Sequence, residues 1–405
     1  MKSNSDFQLD GSKLLSYHGC STDVVIPDGV TEIAENAFAH ISFIRSILVP
    51  DSVDKIGFYA FLGCKNLEKI RLPEKMTSLG RGAFSDCGKL KAIDISEGIS
   101  LIGGDTFRNC YSLETVHIPN SVQQIVDGAF ENCKKLKSNS NGFLIMSDWV
   151  IKADEDIKTA NLPAGIKGIA DSAFEDCAGL TDVSIPETVR ELGRDAFHGC
   201  ESLRECIIPY GVKEINIGVF EQCENLRRID IPNSVEEISF LAFAECEKLT
   251  KVLIPGKVKR IADNAFRECF RLENVRLPYG LEEIGESAFE DCKCLAKIEI
   301  PDTVQEIGEN AFSGCRRCRR TYSGVWCIGK WVVGADEGID SAVIPEGMKY
   351  IANGAFQYCF HLSNVVIPDT IVKIGAGAFY NCFDLKNVTI PASVKEIGNN
   401  AFCKR

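Results

Sequence analysis

Residues 313–322, SGCRRCRRTY, are the segment best placed for chemistry, because two cysteines three residues apart alternate with four arginines. A Cys-x-x-Cys pair is the spacing of thiol–disulfide sites and of half a zinc site, and arginine pairs can hold anions. A zinc site needs four ligands, and no second pair of matching spacing lies nearby in the sequence. The segment therefore has to be interpreted from its place in the rest of the chain.

Other candidates for catalysis are weak. The histidines stand in no metal-ligand or nucleophile–base motif; they are His18, His40, His117, His198 and His361. No glycine-rich phosphate loop follows a strand pattern. We predict no catalytic, metal-ligating or cofactor-binding residue, and a glycan-active or otherwise catalytic protein is the disfavoured alternative.

Composition limits the possible partners. The 405 residues are 45% apolar, which is enough for a continuous core, and the net charge of −12 disfavours nucleic acid and anionic membranes. No apolar run approaches the roughly 20 residues that a membrane span needs, and the amino terminus lacks the apolar segment of a secretory signal. We expect no direct membrane insertion.

The prolines reveal a repeat. All 14 lie on a 23-residue spacing within three blocks, with Ser96 filling the single gap in register, which gives fifteen repeats in blocks of five, seven and three. A fixed period in this range is typical of a solenoid, in which stacked coils bury what one coil cannot.

The apolar columns of the repeat predict its local structure. With the proline as position 0, position 6 is Ile or Leu, position 10 mostly Ala, position 11 always Phe, position 14 mostly Cys and position 17 nearly always Leu. Positions 10, 11, 14 and 17 recur at helical spacing and predict a short helical turn facing the core. Positions 20 and 22 alternate and predict a strand. We expect a right-handed solenoid with one parallel sheet along one face and helical turns on the other.

The segments LEKIRLP, IGESAFEDCKCL and IPDTVQEIGENAFSGC resemble the leucine-rich repeats of the BspA-like cell-surface family, over nearly the whole chain. The resemblance implies a leucine-rich repeat solenoid, exposed on the cell surface or secreted. It also implies non-catalytic binding of proteins, often of host extracellular matrix or plasma proteins.

Two inserts and the amino terminus break the grid in related ways. Segments beginning at Phe7, Phe143 and Val325 each carry two apolar runs around a turn and predict a β-hairpin. We expect one elongated solenoid over residues 1–405, with hairpin-led blocks at 7–141, 142–323 and 324–405, the last repeat being incomplete.

The repeat gives the cysteines a structural interpretation. Cys315 is position 14 and Cys318 is position 17, so both are predicted to point into the core, and the arginines to lie on a solvated turn or contact an anion or acidic partner. Thirteen repeats carry the position 14 cysteine, and stacked coils hold equivalent atoms about 4.7–4.9 Å apart, too far for regular disulfides. We therefore expect reduced, buried thiols there. Cys294 and Cys403 fall outside the core columns and are the predicted exposed thiols.

A partner surface is predicted on the outward strand residue at position 21, which varies where the core columns do not. Among these residues we single out Leu48, Arg71, His117, Ile207, Leu253, Arg276, Val343 and Val366. Trp326 and Trp331, in the third hairpin, could anchor a partner beside them, since aromatics dominate interface hot spots; packing beneath the hairpin is the equal alternative.

Two functions remain open. The first, resting on the family resemblance, is a surface or secreted adhesin that binds host or matrix proteins. The second is a cytoplasmic interaction scaffold, which the missing signal and the reduced cysteines favour.

Overall fold

The computed structural model describes residues 6–386 and 388–404. Within that part the chain forms 36 short strands and no α-helix. Most coils have one strand just before the proline position, a second strand after it, and then a run of turns.

The hairpins lie where the sequence predicts them. Their strands are β1 (Phe7–Asp10), β2 (Lys13–Tyr17), β13 (Phe143–Met146), β14 (Trp149–Ala153), β30 (Val325–Ile328) and β31 (Trp331–Ala335). Each pair is antiparallel and contains one β-bulge. The third hairpin also gains a strand that the sequence did not predict, β29 (Arg320–Tyr322), which pairs with β30.

The predicted strands before the proline form parallel sheets. They are β3 (Asp23–Val25), β5 (Ser46–Leu48), β7 (Lys69–Arg71), β9 (Ala92–Asp94), β11 (Thr115–His117), β15 (Thr159–Asn161), β17 (Asp182–Ser184), β19 (Glu205–Ile207), β21 (Arg228–Asp230), β23 (Lys251–Leu253), β25 (Asn274–Arg276), β27 (Lys297–Ile298), β32 (Ser341–Val343) and β34 (Asn364–Val366). Paired residues are 23 positions apart, as in β3 with β5.

A second set of parallel strands, at positions 5 and 6, was not predicted. They are β4 (Glu32–Ile33), β6 (Lys55–Ile56), β8 (Ser78–Leu79), β10 (Leu101–Ile102), β12 (Gln124–Ile125), β16 (Gly168–Ile169), β18 (Glu191–Leu192), β20 (Glu214–Ile215), β22 (Glu237–Ile238), β24 (Arg260–Ile261), β26 (Glu283–Ile284), β28 (Glu306–Ile307), β33 (Tyr350–Ile351), β35 (Lys373–Ile374) and β36 (Glu396–Ile397). Most coils therefore contribute to two sheets rather than one, and β2, β14 and β31 of the hairpins join this second set.

The predicted helical turn is wrong. Position 9 has a positive φ in all fifteen repeats and position 13 in fourteen of them, so the Ala-Phe pair lies between two left-handed residues. An α-helix cannot pass through such residues, because every helical residue needs a negative φ. The N–H groups instead donate to the next coil, as from Phe61 to the oxygen of Ala83 at 2.8 Å. We call positions 8–15 the turn side.

The chain divides into two compact units. The first comprises Met1–Ile157, Pro163–Phe174 and Glu191–Ala196, and the second comprises Lys158–Leu162, Glu175–Arg190 and Phe197–Arg405. The single continuous domain with three blocks stays a prediction.

Stacked phenylalanines form the centre of each core. In the first unit the rings of Phe38, Phe61, Phe84, Phe107 and Phe130 stack with centroids 5.2–5.6 Å apart. In the second unit the rings from Phe197 to Phe312, at every 23rd residue, stack 5.1–5.5 Å apart. Since each ring contacts its neighbours in both directions, each coil depends on the next for its burial.

Candidate functional site

The strand face, meaning the position 21 residues, points to solvent as predicted. Leu48, Arg71, His117, Ile207, Leu253, Arg276, Val343 and Val366 are all exposed. They alternate with buried residues along three-residue strands, because successive side chains of a strand point to opposite faces. Whether they bind a partner stays a prediction.

Two of these residues form an exposed apolar pair in the second unit. Val343 and Val366 are partners in the register of β32 with β34 and are 57% and 49% exposed. Leu253 is likewise opposite Arg276 on β23 and β25. Apolar side chains kept at solvent on adjacent strands are available to a partner.

Trp331 is not available as the anchor that the sequence allowed. It is 3% exposed and stacks on Tyr350, with ring centroids 4.6 Å apart. The side chain therefore packs beneath the third hairpin.

Trp326 is half-buried and already holds a cation. The guanidinium of Arg319 lies 3.5 Å from the centroid of its ring, and its Nε1 donates to Asp336 Oδ1 at 2.7 Å. A Cβ at position 334 would lie 2.6 Å from the ring, so Gly334 is needed there. This part of the chain thus holds an arginine on the face of an indole ring whose N–H donates to a carboxylate.

The Cys-x-x-Cys segment follows the core interpretation in part. Cys315 is fully buried and donates to the carbonyl oxygen of Phe289 at 3.0 Å. Cys318 is only half-buried, with its Sγ 3.7 Å from the oxygen of Cys315. Hydrogen bonds from the Cys292 and Cys318 thiols act to lower the pKa of Cys315, and burial acts to raise it. Its sulfur is shielded from solvent, and Arg316 beside it is exposed.

The position 14 cysteines are buried thiols, and no disulfide joins cysteines in the described part of the chain. Burial raises the pKa of Cys64 and of Cys133 to about 12. A neutral thiol is a poor nucleophile, so these cysteines are structural.

The prediction of exposed thiols needs correction. Cys294 and Cys403 are only half-buried, whereas Cys20, in the loop after β2, is exposed. Cys20 lies before the first proline, where the repeat columns give no guide to burial.

The turn side of the last block carries an aromatic cluster that the sequence interpretation missed. Tyr358 and Phe360 have centroids 5.9 Å apart, Phe360 stacks on Phe383 at 5.7 Å, and Tyr358 meets Tyr380 edge-on at 6.0 Å. Tyr358, Phe360 and Phe383 are 46–47% exposed. The signal was present: position 13 is aromatic at Tyr358, and position 15 is aromatic at Phe360 and Phe383, where most other repeats carry polar residues or glycine.

A cleft of about 710 Å³ lies beside this cluster, and we call it the junction cleft. One wall comes from the coil that ends block two, with Glu309 and Asn310. The others come from the third hairpin, with Trp326, and from the next coil, with Tyr358 and Phe360. The hairpin is inserted between the two coils, so the cleft lies at a break in the 23-residue grid.

Glu309 is one of the two carboxylates that line the cleft. Its carboxylate is half-buried, and burial followed by the charge of Glu286 raises its pKa, while a hydrogen bond from Gln357 acts the other way. An adjacent cleft of about 470 Å³ shares Glu309 and Gln357 and is lined by further acidic residues. The two clefts together form a negatively charged groove within the second unit.

The repeat pattern matches a known family. The family described as BspA type Leucine rich repeat region (6 copies) matches residues 11–137, 151–270, 259–324 and 327–405. The chain belongs to the BspA-type leucine-rich repeat family. The leucine-rich repeat is generally a protein-interaction fold rather than an enzyme fold.

Solved structures of similar sequence are bacterial leucine-rich repeat proteins. One from Eubacterium ventriosum is 22% identical, with 72% of this chain and 82% of that chain covered and a TM-score of 0.41. One from Bacteroides ovatus is 23% identical, with 96% and 94% covered and a TM-score of 0.39. A leucine rich cell surface protein from Faecalibacterium prausnitzii is 22% identical, with 76% and 95% covered and a TM-score of 0.30. A search of curated proteins finds no match.

The described residues contain no helix with the length and apolar character required to cross a bilayer.

Proposed function

We propose that this protein is a non-catalytic adhesin, on the cell surface or secreted, that binds host or matrix proteins. The observation that carries protein binding is the group of exposed apolar side chains in the second unit, including Val343, Val366 and the aromatic cluster. Their exposure is unfavourable in water, and a partner would remove it. Membership of the BspA-type family supports the surface location.

The strand face supports recognition by several coils at once. Its exposed residues change from Ile207 to Leu253 to Val343, while the buried columns stay nearly constant. A partner that contacts several adjacent strands would be recognised by the combination of exposed side chains on those strands.

Location is tested first. Cells that express the protein natively are stained with an antibody to the folded chain, with and without permeabilisation. Staining of intact cells is expected, and staining only after permeabilisation would overturn the adhesin proposal.

Binding is then tested on immobilised matrix and plasma proteins. Val343→Asp combined with Val366→Asp is expected to weaken capture by at least about tenfold, as two apolar contacts become buried charges. Phe240→Asp combined with Tyr279→Asp is the matched control, because both side chains are exposed in the second unit and lie outside the strand face. Equal capture by all variants would exclude the Val343–Val366 pair.

A cytoplasmic interaction scaffold is the second candidate, favoured by the absence of disulfides among the described cysteines. Proteins in oxidising compartments commonly use such bridges, and reduced thiols are typical of the cytosol. Staining confined to permeabilised cells would support this candidate.

A further inference from the structure

Among the described residues, no lysine or arginine side chain lines the junction cleft. Among the described residues that line it, the carboxylates are Glu309 and Glu337, and no lysine or arginine is present. His361, at the rim, is paired with Asp384 at 3.7 Å. The adjacent cleft adds Asp263, Glu283, Glu286 and Glu306, again with no basic side chain in its lining.

Not all of these carboxylates are available to a ligand. Arg260 pairs with Glu283 at 2.8 Å and with Asp263 at 3.3 Å, and Glu306 accepts from Asn353 at 2.8 Å. Glu309 accepts hydrogen bonds from two neutral amides, those of Asn310 at 3.4 Å and of Gln357, and lies near the like charge of Glu286. A cation beside Glu309 would relieve this repulsion, and a neutral ligand would not.

The aromatic wall suits the same ligand. Tyr358 has a φ of 60°, in the left-handed region that bulky side chains rarely adopt, and its side chain is 47% exposed. Other repeats place mostly glycine, asparagine or an acidic residue at this position. A large ring kept in an unfavourable backbone conformation and at solvent is a feature of binding sites. Its face, with that of Phe360, offers a surface for a cation.

The chain already shows this recognition chemistry next to the cleft. Arg319 is held on the face of Trp326, and Asp336 accepts from the indole nitrogen of the same ring. Trp326 also lines the junction cleft. The corresponding residues of the middle block in the sequence are Leu144, Asp176 and Ala178 in place of Trp326, Tyr358 and Phe360, so the aromatic wall is particular to the third hairpin.

We propose that the junction cleft binds a lysine or arginine side chain from a basic segment of a protein partner, between the Glu309 carboxylate and the rings of Tyr358 and Phe360. The acidic groove beyond Glu309 receives the neighbouring basic residues of that segment. This inference rests on the proposed protein-binding function and gives the chemical class of the partner.

The test uses short labelled peptides and fluorescence anisotropy on the full chain. The probes are an acetylated tetra-arginine amide, the same peptide with citrulline, which is the neutral isostere of arginine, and a tetra-leucine peptide with a solubilising tail. The arginine peptide is expected to bind, more weakly as salt is raised, and the other two to bind at least about tenfold more weakly. Equal binding of the citrulline or leucine peptide would overturn the proposal in favour of an apolar ligand.

The variants separate the cleft from general acidity. Glu309→Gln and Tyr358→Asn are each expected to weaken arginine-peptide binding by roughly tenfold. Asparagine suits the left-handed backbone, so Tyr358→Asn should fold, and urea denaturation checks this for both variants. Glu299→Gln, on the strand face, removes the same charge elsewhere, and Phe240→Ala removes a ring that is 43% exposed; neither should change binding. If Glu299→Gln weakens binding as much as Glu309→Gln does, the effect is due to net charge, and the proposal that the cleft is the binding site is overturned.

The two proposals can fail separately. If the arginine peptide does not bind while the Val343 and Val366 substitutions still abolish capture of a protein, the cleft inference fails and the proposed function stands. If the peptide binds as described while no protein is captured, the cleft stands and the adhesin proposal fails.

Discussion

The Sγ of Cys64 lies 3.2 Å from the backbone carbonyl oxygen of Phe38, in the preceding coil. The same contact joins Cys246 to Phe220 at 3.1 Å and recurs along the position 14 column. The backbone carbonyl of each such position 11 phenylalanine also accepts a backbone N–H from its own coil, as the Phe61 oxygen does from the Cys64 N–H at 3.2 Å. The thiol therefore gives a buried carbonyl a second donor, which alanine or valine could not.

Removing one of these thiols should destabilise the stack. Cys246→Ala is expected to lower the free energy of unfolding by about 1–2 kcal/mol, because it removes a hydrogen bond and leaves a small cavity. Urea denaturation followed by circular dichroism measures this. Cys294→Ala, at a half-buried position, should cost little, and an equal loss in both variants would contradict the role of the thiol bond.

Removing a stacked ring should cost more and act locally. Phe243→Ala is expected to lower the free energy of unfolding by about 3–5 kcal/mol, since Phe243 is fully buried between Phe220 and Phe266. Hydrogen exchange should accelerate first in those two neighbouring coils. Phe240→Ala, at an exposed ring, is the control, and uniform exchange over the whole second unit would argue against nearest-neighbour stacking.

The cysteines should differ sharply in reactivity. A maleimide at neutral pH is expected to label Cys20, Cys294, Cys318 and Cys403 in the native protein, because the others are buried. In denaturant without reductant, most of the nineteen should be labelled, as peptide mass spectrometry will show. Thiols that stay unlabelled after denaturation would mean that they are oxidised.

Stability should fall in alkali. Burial raises the pKa of Cys64 and Cys133 to about 12, whereas the thiols of the unfolded chain titrate near 8.5. The unfolded state therefore loses protons first, and the stabilisation present below about pH 8.5 is lost as the pH rises toward 12, by about 1.4 kcal/mol per pH unit for each such thiol. Urea midpoints at pH 8, 9 and 10 measure this decline.

The Cys64→Ala variant isolates the contribution of one thiol. Its free energy of unfolding should depend less steeply on pH than that of the parent, by the slope of a single proton. An unchanged slope would show that Cys64 does not remain protonated in the folded chain.

The backbone of the turn side can be tested at Leu241. Its φ is 57°, so Leu241→Asn is expected to stabilise the chain by up to about 1 kcal/mol, as asparagine tolerates the left-handed region. In a helix the same change would destabilise. Thermal denaturation gives the sign, and Leu241→Gly is the second variant; destabilisation by both would favour the helical interpretation.

The sequence determined the repeat and the identity of the core. Residues 23 positions apart, such as Phe220 and Phe243, must become equivalent once coils stack, so the constant columns are the buried ones. The hairpins were also predictable, because paired apolar runs around a turn have few alternatives. Position 10, 11, 14 and 17 side chains face the core as predicted.

The prediction of a helical turn was wrong because core-facing residues have the same spacing in a helix as in a run of turns whose N–H groups donate to the next coil. The deciding residues were visible as glycine, asparagine and aspartate at positions 9 and 13, which tolerate a positive φ. The two-residue strands, such as β26, were missed because they are too short to show an alternating pattern.

Only the tertiary structure decided the candidate site. Glu309, Trp326 and Tyr358 lie on three different elements of the chain, and a cleft forms between them because an inserted hairpin interrupts the stacking of two coils. The burial of Trp331 could not be predicted from the sequence either, because the sequence allowed either side of the hairpin to face solvent. The core residues of a coil can be identified from the sequence of that coil, because stacking buries the same positions in every repeat. A surface site instead depends on which coils the folded chain brings together.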